Sequence, residues 1–561
     1  MLLSFSSDGI VEEPGVAPPK TPILFEDYSG RSFLGEAGAL AVNDDWAITI
    51  YDYIRRFAPI IPTIPTPTGD PAKPGVSGVN PSAADEYLVI DRAGLVTALN
   101  NATYDLIFIA KGSDCTSGDL DVMTLTISGT AGTKRQFIYW DDITPSNVQD
   151  IKPWKLLQAD RVQMPKIDHN SGSHTWFTGL SWGIVGTQQM RCAEILGTSS
   201  NNLYYRCSME NGKAHEVIIN SANADDNMFF ECVSHDHILG TVDIHCFSFL
   251  QGDNNRIVTC EGWDYLGDFL QLENGGPNGC FAEDCDIYRE TFYDGAGVED
   301  PDGDFGAGEG AFDFKNLNPA ETTPCKTYGN RIWGMRRVDT VKHPAGGSGS
   351  PFQFSNAAVE KHLLDARWNI IFDSTDGAFD FANINEAAAD GKHSIVRNIV
   401  SDIRTGADEV LSMPDHACEF YLNTVRDTLT AAALWNFART DEDITPHDSM
   451  GNFYSDVGAI NNQVRWGVNF KFGYNAWGGT FTKATAGYAS DYENAAVPGR
   501  GSPWFMGDMT FIRKKMTGPE LHTIPFIVPT TSTPSAFRTL VPISGGDQIG
   551  SRTGIGVDDL F

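Results

Sequence analysis

NLYYRCSM at residues 202–209 returns as NMFFECVS at 227–234, NRIVTCEG at 255–262 and GCFAEDCDI at 279–287. The cysteines, Cys207, Cys232, Cys260 and Cys285, stand 25, 28 and 25 residues apart. Apolar side chains precede each one and it alternates with polar neighbours, the pattern of a residue on the inward face of a strand. TYGNRIWG at 327–334 and IVRNIVSD at 395–402 put Asn330 and Asn398 in the same place. A ladder of Cys and then Asn at a fixed step suits a solenoid whose turns stack equivalent side chains.

A second alternating phrase lies between these: VIIN (217–220), VDIH (242–245), LQLE (270–273), FDFK (312–315), FQFS (352–355), FDFA (379–382) and FYLN (420–423). Several short strands per turn, with no amphipathic helix between them, imply parallel strands without βαβ crossovers. The expected fold is all-β, a right-handed parallel β-helix. Leucine-rich repeats and propeller blades are excluded, because neither their consensus nor their hairpin spacing is present.

DRAGLVTALNNATYDLIFIAKGSD at 91–114 reads as a short amphipathic helix with Leu95 and Leu99 on one face, then an apolar strand and a glycine turn. Such a helix would plug the open end of the coil and protect its first strand edge. This order resembles the N-terminal cap of the pectate-lyase-like superfamily of β-helix carbohydrate enzymes, over roughly residues 90–430. The expected domains are an N-terminal extension (1–90), the parallel β-helix (91–430) and a C-terminal part (431–561) of further coils, a cap or a small β-module. The extension includes an extended segment at 58–81 that holds seven prolines and reads as a linker or as a strap laid along the solenoid.

With 73 acidic against 40 basic residues the chain carries a formal charge of −33. That speaks against nucleic acid and anionic membranes as partners, since both are bound mainly through Lys and Arg. No apolar run is long enough to span a bilayer. The opening MLLSFSSDGIVEEPG lacks the basic n-region of a complete secretory signal, and an extracellular location is expected with the chain mature, truncated, or released by another route such as lysis. Ten cysteines in 561 residues, with no CxxC pair, fit neither a disulfide scaffold nor a zinc ribbon. HDH at 235–237 could offer two metal nitrogens, but without a third ligand in view it reads as surface polar groups.

In a β-helix one register fixes a whole wall of side chains. With Phe312 and Phe314 inward, Glu309, Asp313 and Lys315 point outward. The same alternation on the other phrases adds Asp243, His245, Gln271, Glu273, Gln353 and Asp380. A Lys, a His and several acids then share one polar groove, where stacked carboxylates repel unless a cation or a task accounts for them. Just upstream, DGAGVEDPDGDFGAGEG (294–310) spaces Asp300, Asp302 and Asp304 like the start of a calcium loop, although Phe305 and Ala311 depart from an EF-hand.

GEGAFDFK also resembles a mid-solenoid strand of β-helix polysaccharide lyases. The resemblance implies Lys315 as Brønsted base, Glu309 or Asp313 as a calcium ligand with Asp302 and Asp304 nearby, and calcium as the cofactor. The Arg-His pair of the alginate-lyase branch is missing one turn later. Arg336, Arg337 and His245 are left as candidates for the acid or for substrate contacts. The expected activity is β-elimination on a uronate polymer, with catalysis by Lys315, Asp313, His245 and Asp243 and substrate contacts from Gln271, Glu273, Gln353 and Asp380. A hydrolase using two carboxylates among Asp243, Glu273, Asp313 and Asp380 is the alternative. So is a viral tailspike that binds or depolymerises a glycan, and a monomer is favoured over such a trimer.

Overall fold

The chain divides into two compact units, residues 62–363 with 383–386, and residues 364–382 and 387–561 with 1–61. The computed structural model describes residues 85–117, 121–141, 151–183, 191–212, 215–237, 244–273 except 266, 278–288, 310–315, 323–335 and 350–355. Beyond these it describes strand segments as far as Gly478 and a short antiparallel pair, Phe5–Ser6 with Gly9–Ile10.

In the first unit each full turn lays down three short strands, one for each of three sheets, and every pairing between turns is parallel. The turn that begins at Val217–Ile219 continues through Met228–Phe230 and Val233–His237 before the next turn opens at Phe247–Phe249. Sheet one stacks Val122–Leu125, Lys166–Asn170, Ala193–Leu196, Val217–Ile219, Phe247–Phe249, Asp268–Leu272, Gly310–Lys315 and Ser350–Ser355. Sheet two runs in the same way from Glu86–Val89 to Cys325–Tyr328, and sheet three from Ser181–Trp182 to Arg331–Trp333. This is a parallel β-helix. The second unit repeats the pattern, with parallel strands as far as Ala476–Gly478.

Inside the coil, in-register positions hold one kind of side chain from rung to rung. Phe137, Phe177, Tyr204 and Phe229 stack in a column with ring centroids 5.0, 5.0 and 4.9 Å apart. The corner after sheet two carries the cysteines, all of them buried. The Cys232 thiol donates to the Tyr204 carbonyl at 3.2 Å, and Cys260 to that of Phe229 at 3.4 Å. Asn330 continues the corner, its Oδ1 accepting from the Cys285 amide at 3.0 Å. In the second unit Asn369, Asn398 and Asn423 form a hydrogen-bonded ladder of their own.

The residue just before each Cys or Asn of the first unit's corner makes the bend. Arg206, Glu231, Thr259, Asp284 and Gly329 have φ of 50, 49, 51, 51 and 66°. A left-handed residue at every turn is costly for a side chain with Cβ. It persists because the Arg206, Glu231, Thr259 and Asp284 amides each bond a carbonyl of the next rung, as Glu231 N–H does to Val258 O at 3.0 Å. A second ladder begins sheet two: Asn202 Nδ2 donates to Asn227 Oδ1 and Asn227 Nδ2 to Asn255 Oδ1, each at 3.0 Å. These asparagines open the repeated phrases, yet the cysteines alone drew notice in the sequence.

The helix expected near the start is Arg92–Leu99, with Leu95 and Leu99 buried and Asp91 capping it by accepting from Gly94 N–H at 2.8 Å. Its C-terminal carbonyls meet Arg135, a buried guanidinium that donates to Ala98, Leu99 and Asn101. A cation is favoured at this end of the helix. Burial nonetheless pulls the Arg135 pKa down to about 10.

FYLN differs from the expectation. Phe420 lies in a strand, Cys418–Tyr421, that pairs with His393–Val396, while Asn423 belongs to the corner ladder. Its alternation matches the sheet-one phrases, but the Asn at its end marks a corner.

Candidate functional site

The outward face of sheet one is set by register. Phe247, Leu270, Phe312 and Phe352 share one inward column, and Phe249, Leu272 and Phe314 share the next. Between them stands the outward column Ile218, Ser248, Gln271, Asp313 and Gln353. Successive members are about 4.8 Å apart, the spacing of neighbouring strands.

On this face Lys315 Nζ lies 2.7 Å from Asp313 Oδ2. The Gln271 amide, with its oxygen toward the donors, accepts from Lys315 Nζ at 2.8 Å and from His245 Nε2 at 3.0 Å, and its nitrogen donates to Glu273 Oε2 at 3.0 Å. His245 Nδ1 accepts from the Asp268 amide at 2.8 Å. Five side chains named from the sequence, His245, Gln271, Glu273, Asp313 and Lys315, therefore form one hydrogen-bonded cluster across three rungs. Asp313, Gln271 and His245 are buried, while Lys315 and Glu273 are half-buried. Gln353 stands beside Asp313 in the next rung.

One register differs from the expectation. At the turn where alternation predicts VDIH as the strand, the strand is Phe247–Phe249, so Ser248 stands beside Gln271 and His245 lies in register with Asp268. Both VDIH and CFSFL alternate, and two phenylalanines fill the core better than Val242 and Ile244. His245 still reaches the wall, through its ring and not through the expected strand position. Asp380 lies in the second unit, on Phe379–Asp380. Asp243, Glu309, Asp302, Asp304, Arg336 and Arg337 lie outside the described residues.

The sequence reading missed His215 and Arg191. The His215 ring stacks on that of His245 with centroids 4.5 Å apart and planes 2° from parallel. Burial, aided by the charges of Arg191 and Lys315, lowers the His215 pKa to about 4. Burial, together with His215 and Lys315, holds His245 well below its ordinary value, so both rings are neutral at pH 7. Arg191 and Lys166 each pair with Glu194, at 2.8 and 2.9 Å, and Lys166 also pairs with Asp168 at 2.7 Å. A sign of this column was present in the sequence. His215, His245 and Asp268 each stand two residues before the first inward apolar residue of successive sheet-one strands.

HDH does not form a shared metal site. His235 pairs with Asp236 and stacks on Trp263 with centroids 4.3 Å apart, while His237 is fully buried beside Ser234 and Glu216. Both are buried, not surface groups. Among the described residues no three His, Cys, Asp or Glu side chains converge as a cation site would require. Asp313, the one proposed calcium ligand described, is engaged by Lys315. The other proposed ligands, Glu309, Asp302 and Asp304, lie outside the described residues.

No family model matches the chain, and no curated protein matches it. Among solved structures it is similar to a PL6 family alginate lyase, with 11% identity and a TM-score of 0.47, over 84% of this chain and 58% of that one. A mannuronic acid specific family 6 lyase from human gut microbiota is 13% identical with a TM-score of 0.39, over 77% of this chain and 100% of that one. An alginate lyase from Paenibacillus sp. str. FPU-7 is 11% identical with a TM-score of 0.33, over 70% and 99%. The fold assignment itself rests on the three parallel sheets described above.

Proposed function

We propose that the chain cleaves an acidic polysaccharide by β-elimination on the outward face of sheet one. The observation that carries the reading is the convergence of Lys315, Asp313, Gln271 and His245 from three separate turns onto one outward patch. A Lys placed between a carboxylate and an amide oxygen has its Nζ fixed in direction, which is what proton abstraction at a particular carbon demands.

In this mechanism Lys315 first gives a proton of its ammonium to water and then, as the free amine, takes the proton from the carbon next to the uronate carboxylate. The released electron pair forms the new carbon–carbon double bond, and the bond to the glycosidic oxygen breaks. That oxygen receives its proton from the ammonium just formed on Lys315. Asp313 and Gln271 hold Nζ through the cycle, and His245 holds Gln271.

The test is a panel of uronate and neutral polysaccharides, with calcium or chelator, followed by ultraviolet absorbance of the unsaturated product and by reducing ends. Absorbance gained on a uronate polymer, and lost in Lys315→Ala, is expected. Reducing ends without absorbance would replace elimination with hydrolysis. Neither signal on any polymer would leave the wall as a glycan-binding surface.

A further inference from the structure

Resting on the reading of this wall as a glycan-cleaving surface, we propose that His215 and Ser248 form a binding position for a carboxylate oxygen of an acidic sugar, one rung before the Lys315 cluster. His215 and His245 are two copies of one arrangement. His215 Nδ1 accepts from the His245 amide at 3.2 Å, as His245 Nδ1 accepts from the Asp268 amide at 2.8 Å. With Nδ1 accepting, each neutral ring carries its proton on Nε2. Because the ring planes are parallel and each Nδ1 faces the backbone amide of the next rung, the two Nε2–H groups point the same way.

The copies differ in what receives that proton. His245 Nε2–H meets the Gln271 amide oxygen at 3.0 Å. In the rung before, the residue in register with Gln271 is Ser248, whose side chain is too short to reach as the glutamine does. No described residue accepts from His215 Nε2. Ser248 Oγ, on a residue only 1% exposed, has no hydrogen-bond partner either. A buried hydroxyl left unsatisfied is costly, so two neighbouring polar groups are open where the next rung supplies an oxygen. An oxygen brought by a ligand completes the rung.

The surroundings favour an anionic oxygen. Arg191 occupies the His215 column one rung earlier, and its guanidinium Nε is buried without a partner. Lys315 stands on the other side, close enough for its charge to act on His215. The Nε2–H of His215 can only donate, the Arg191 Nε–H can only donate, and the Ser248 hydroxyl is free to do so. A group that only accepts, a carboxylate, suits His215 and Ser248, while Arg191 and Lys315 each already pair with an acid, Glu194 and Asp313.

The test follows the histidine Nε2–H resonances of the full chain, labelled with nitrogen-15, during titration with glucuronate and, separately, with glucose. His215→Ala assigns the signal. The expected result is a shift of the His215 resonance with glucuronate and none with glucose. In Ser248→Gln, whose amide fills the open position as Gln271 does, glucuronate affinity should fall about 10-fold to 100-fold. Ser248→Ala should lose less, and unchanged unfolding midpoints confirm that both variants fold. No shift with glucuronate, or an equal shift in Ser248→Gln, overturns the proposal and leaves a position for water only. Equal shifts with glucose overturn the carboxylate assignment. If glucuronate shifts His215 in the expected way while no uronate polymer is cut, the site stands and the cleavage reading falls. Cleavage of a uronate polymer with parental KM in Ser248→Gln has the opposite meaning.

Discussion

The corner after sheet two and the outward wall of sheet one run along the same coil and obey the same register, yet they use it in opposite ways. The corner repeats one solution at each rung: a left-handed residue, then a buried Cys or Asn whose polar group bonds the neighbouring rung. The wall changes at each rung, from Glu194 to Ile218, Ser248, Gln271 and Asp313. Repetition satisfies buried polar groups wherever the coil bends. Variation does nothing for the coil and is explained only by what the wall meets.

The largest effect that should separate the two regions is on activity. Lys315→Ala is expected to lower turnover of a uronate polymer by about 100-fold to 10,000-fold. It should also cost about 1–3 kcal/mol of stability, because the buried Asp313 carboxylate loses this partner, and pairing it with Asp313→Asn should restore most of that loss without restoring turnover. Turnover assays paired with chemical denaturation check both parts. A double variant that stays as unstable as Lys315→Ala would make the wall a second scaffold and erase the contrast.

This contrast also accounts for what could be read in the sequence. Cys207, Cys232, Cys260 and Cys285 are visible because one chemistry recurs at a near-constant step, and that was enough to give the parallel coil. The wall offers no recurring residue, so its members had to be inferred from alternation within each strand. For LQLE, FDFK and FQFS that gave the observed register, since the loops between them leave no rival phrase. At VDIH a second alternating phrase begins five residues later, and only stacking of Phe247 on Leu270 in three dimensions decides between them. His215 and Asp268 precede their strands' inward residues, so nothing within a single strand marks them; their column exists only between rungs.

Acid should act on the interior that both regions enclose, through histidines held neutral by burial. His169, which bonds the Tyr204 hydroxyl at 2.6 Å inside the coil, has its pKa lowered to about 4, and His237 to about 3. With folded values below the unfolded 6.5, the unfolded chain binds more protons as pH falls. The stability present above pH 6.5 is therefore lost toward pH 4. At pH 5 each of these two buried histidines should cost about 2 kcal/mol relative to neutral pH. Denaturant midpoints from pH 7 to pH 4 should show the decline, with His169→Gln flattening part of it. A midpoint constant down to pH 5 would mean that these rings find protons or water within the fold.

Asn227→Ala breaks the corner at the start of sheet two. It removes the oxygen that receives Asn202 N–H and Nδ2 and the amide that donates to Asn255. Leaving buried groups unmatched should cost about 2–3 kcal/mol. At the wall, Gln353→Ala, in a half-buried position, should cost well under half as much. Equal losses at the two sites would mean that wall residues contribute to the coil as the asparagines do.

The smallest effect should be a gain. Among the five left-handed corner positions only Thr259, at φ 51°, carries a β-branched side chain, the kind least suited to that conformation. Its hydroxyl bonds Asp284 Oδ2 at 3.4 Å, a long contact, whereas its amide bond to the Glu283 carbonyl at 2.8 Å belongs to the backbone and survives substitution. Thr259→Asn keeps a polar side chain and enters the left-handed region more readily, so it should stabilise the coil by about 0.5–1 kcal/mol with turnover unchanged. A raised denaturant midpoint would show that the corner was shaped by the bend alone. A lowered one would show that the Thr259 side chain, and not only its backbone, holds adjacent rungs together, making this rung specialised like the wall.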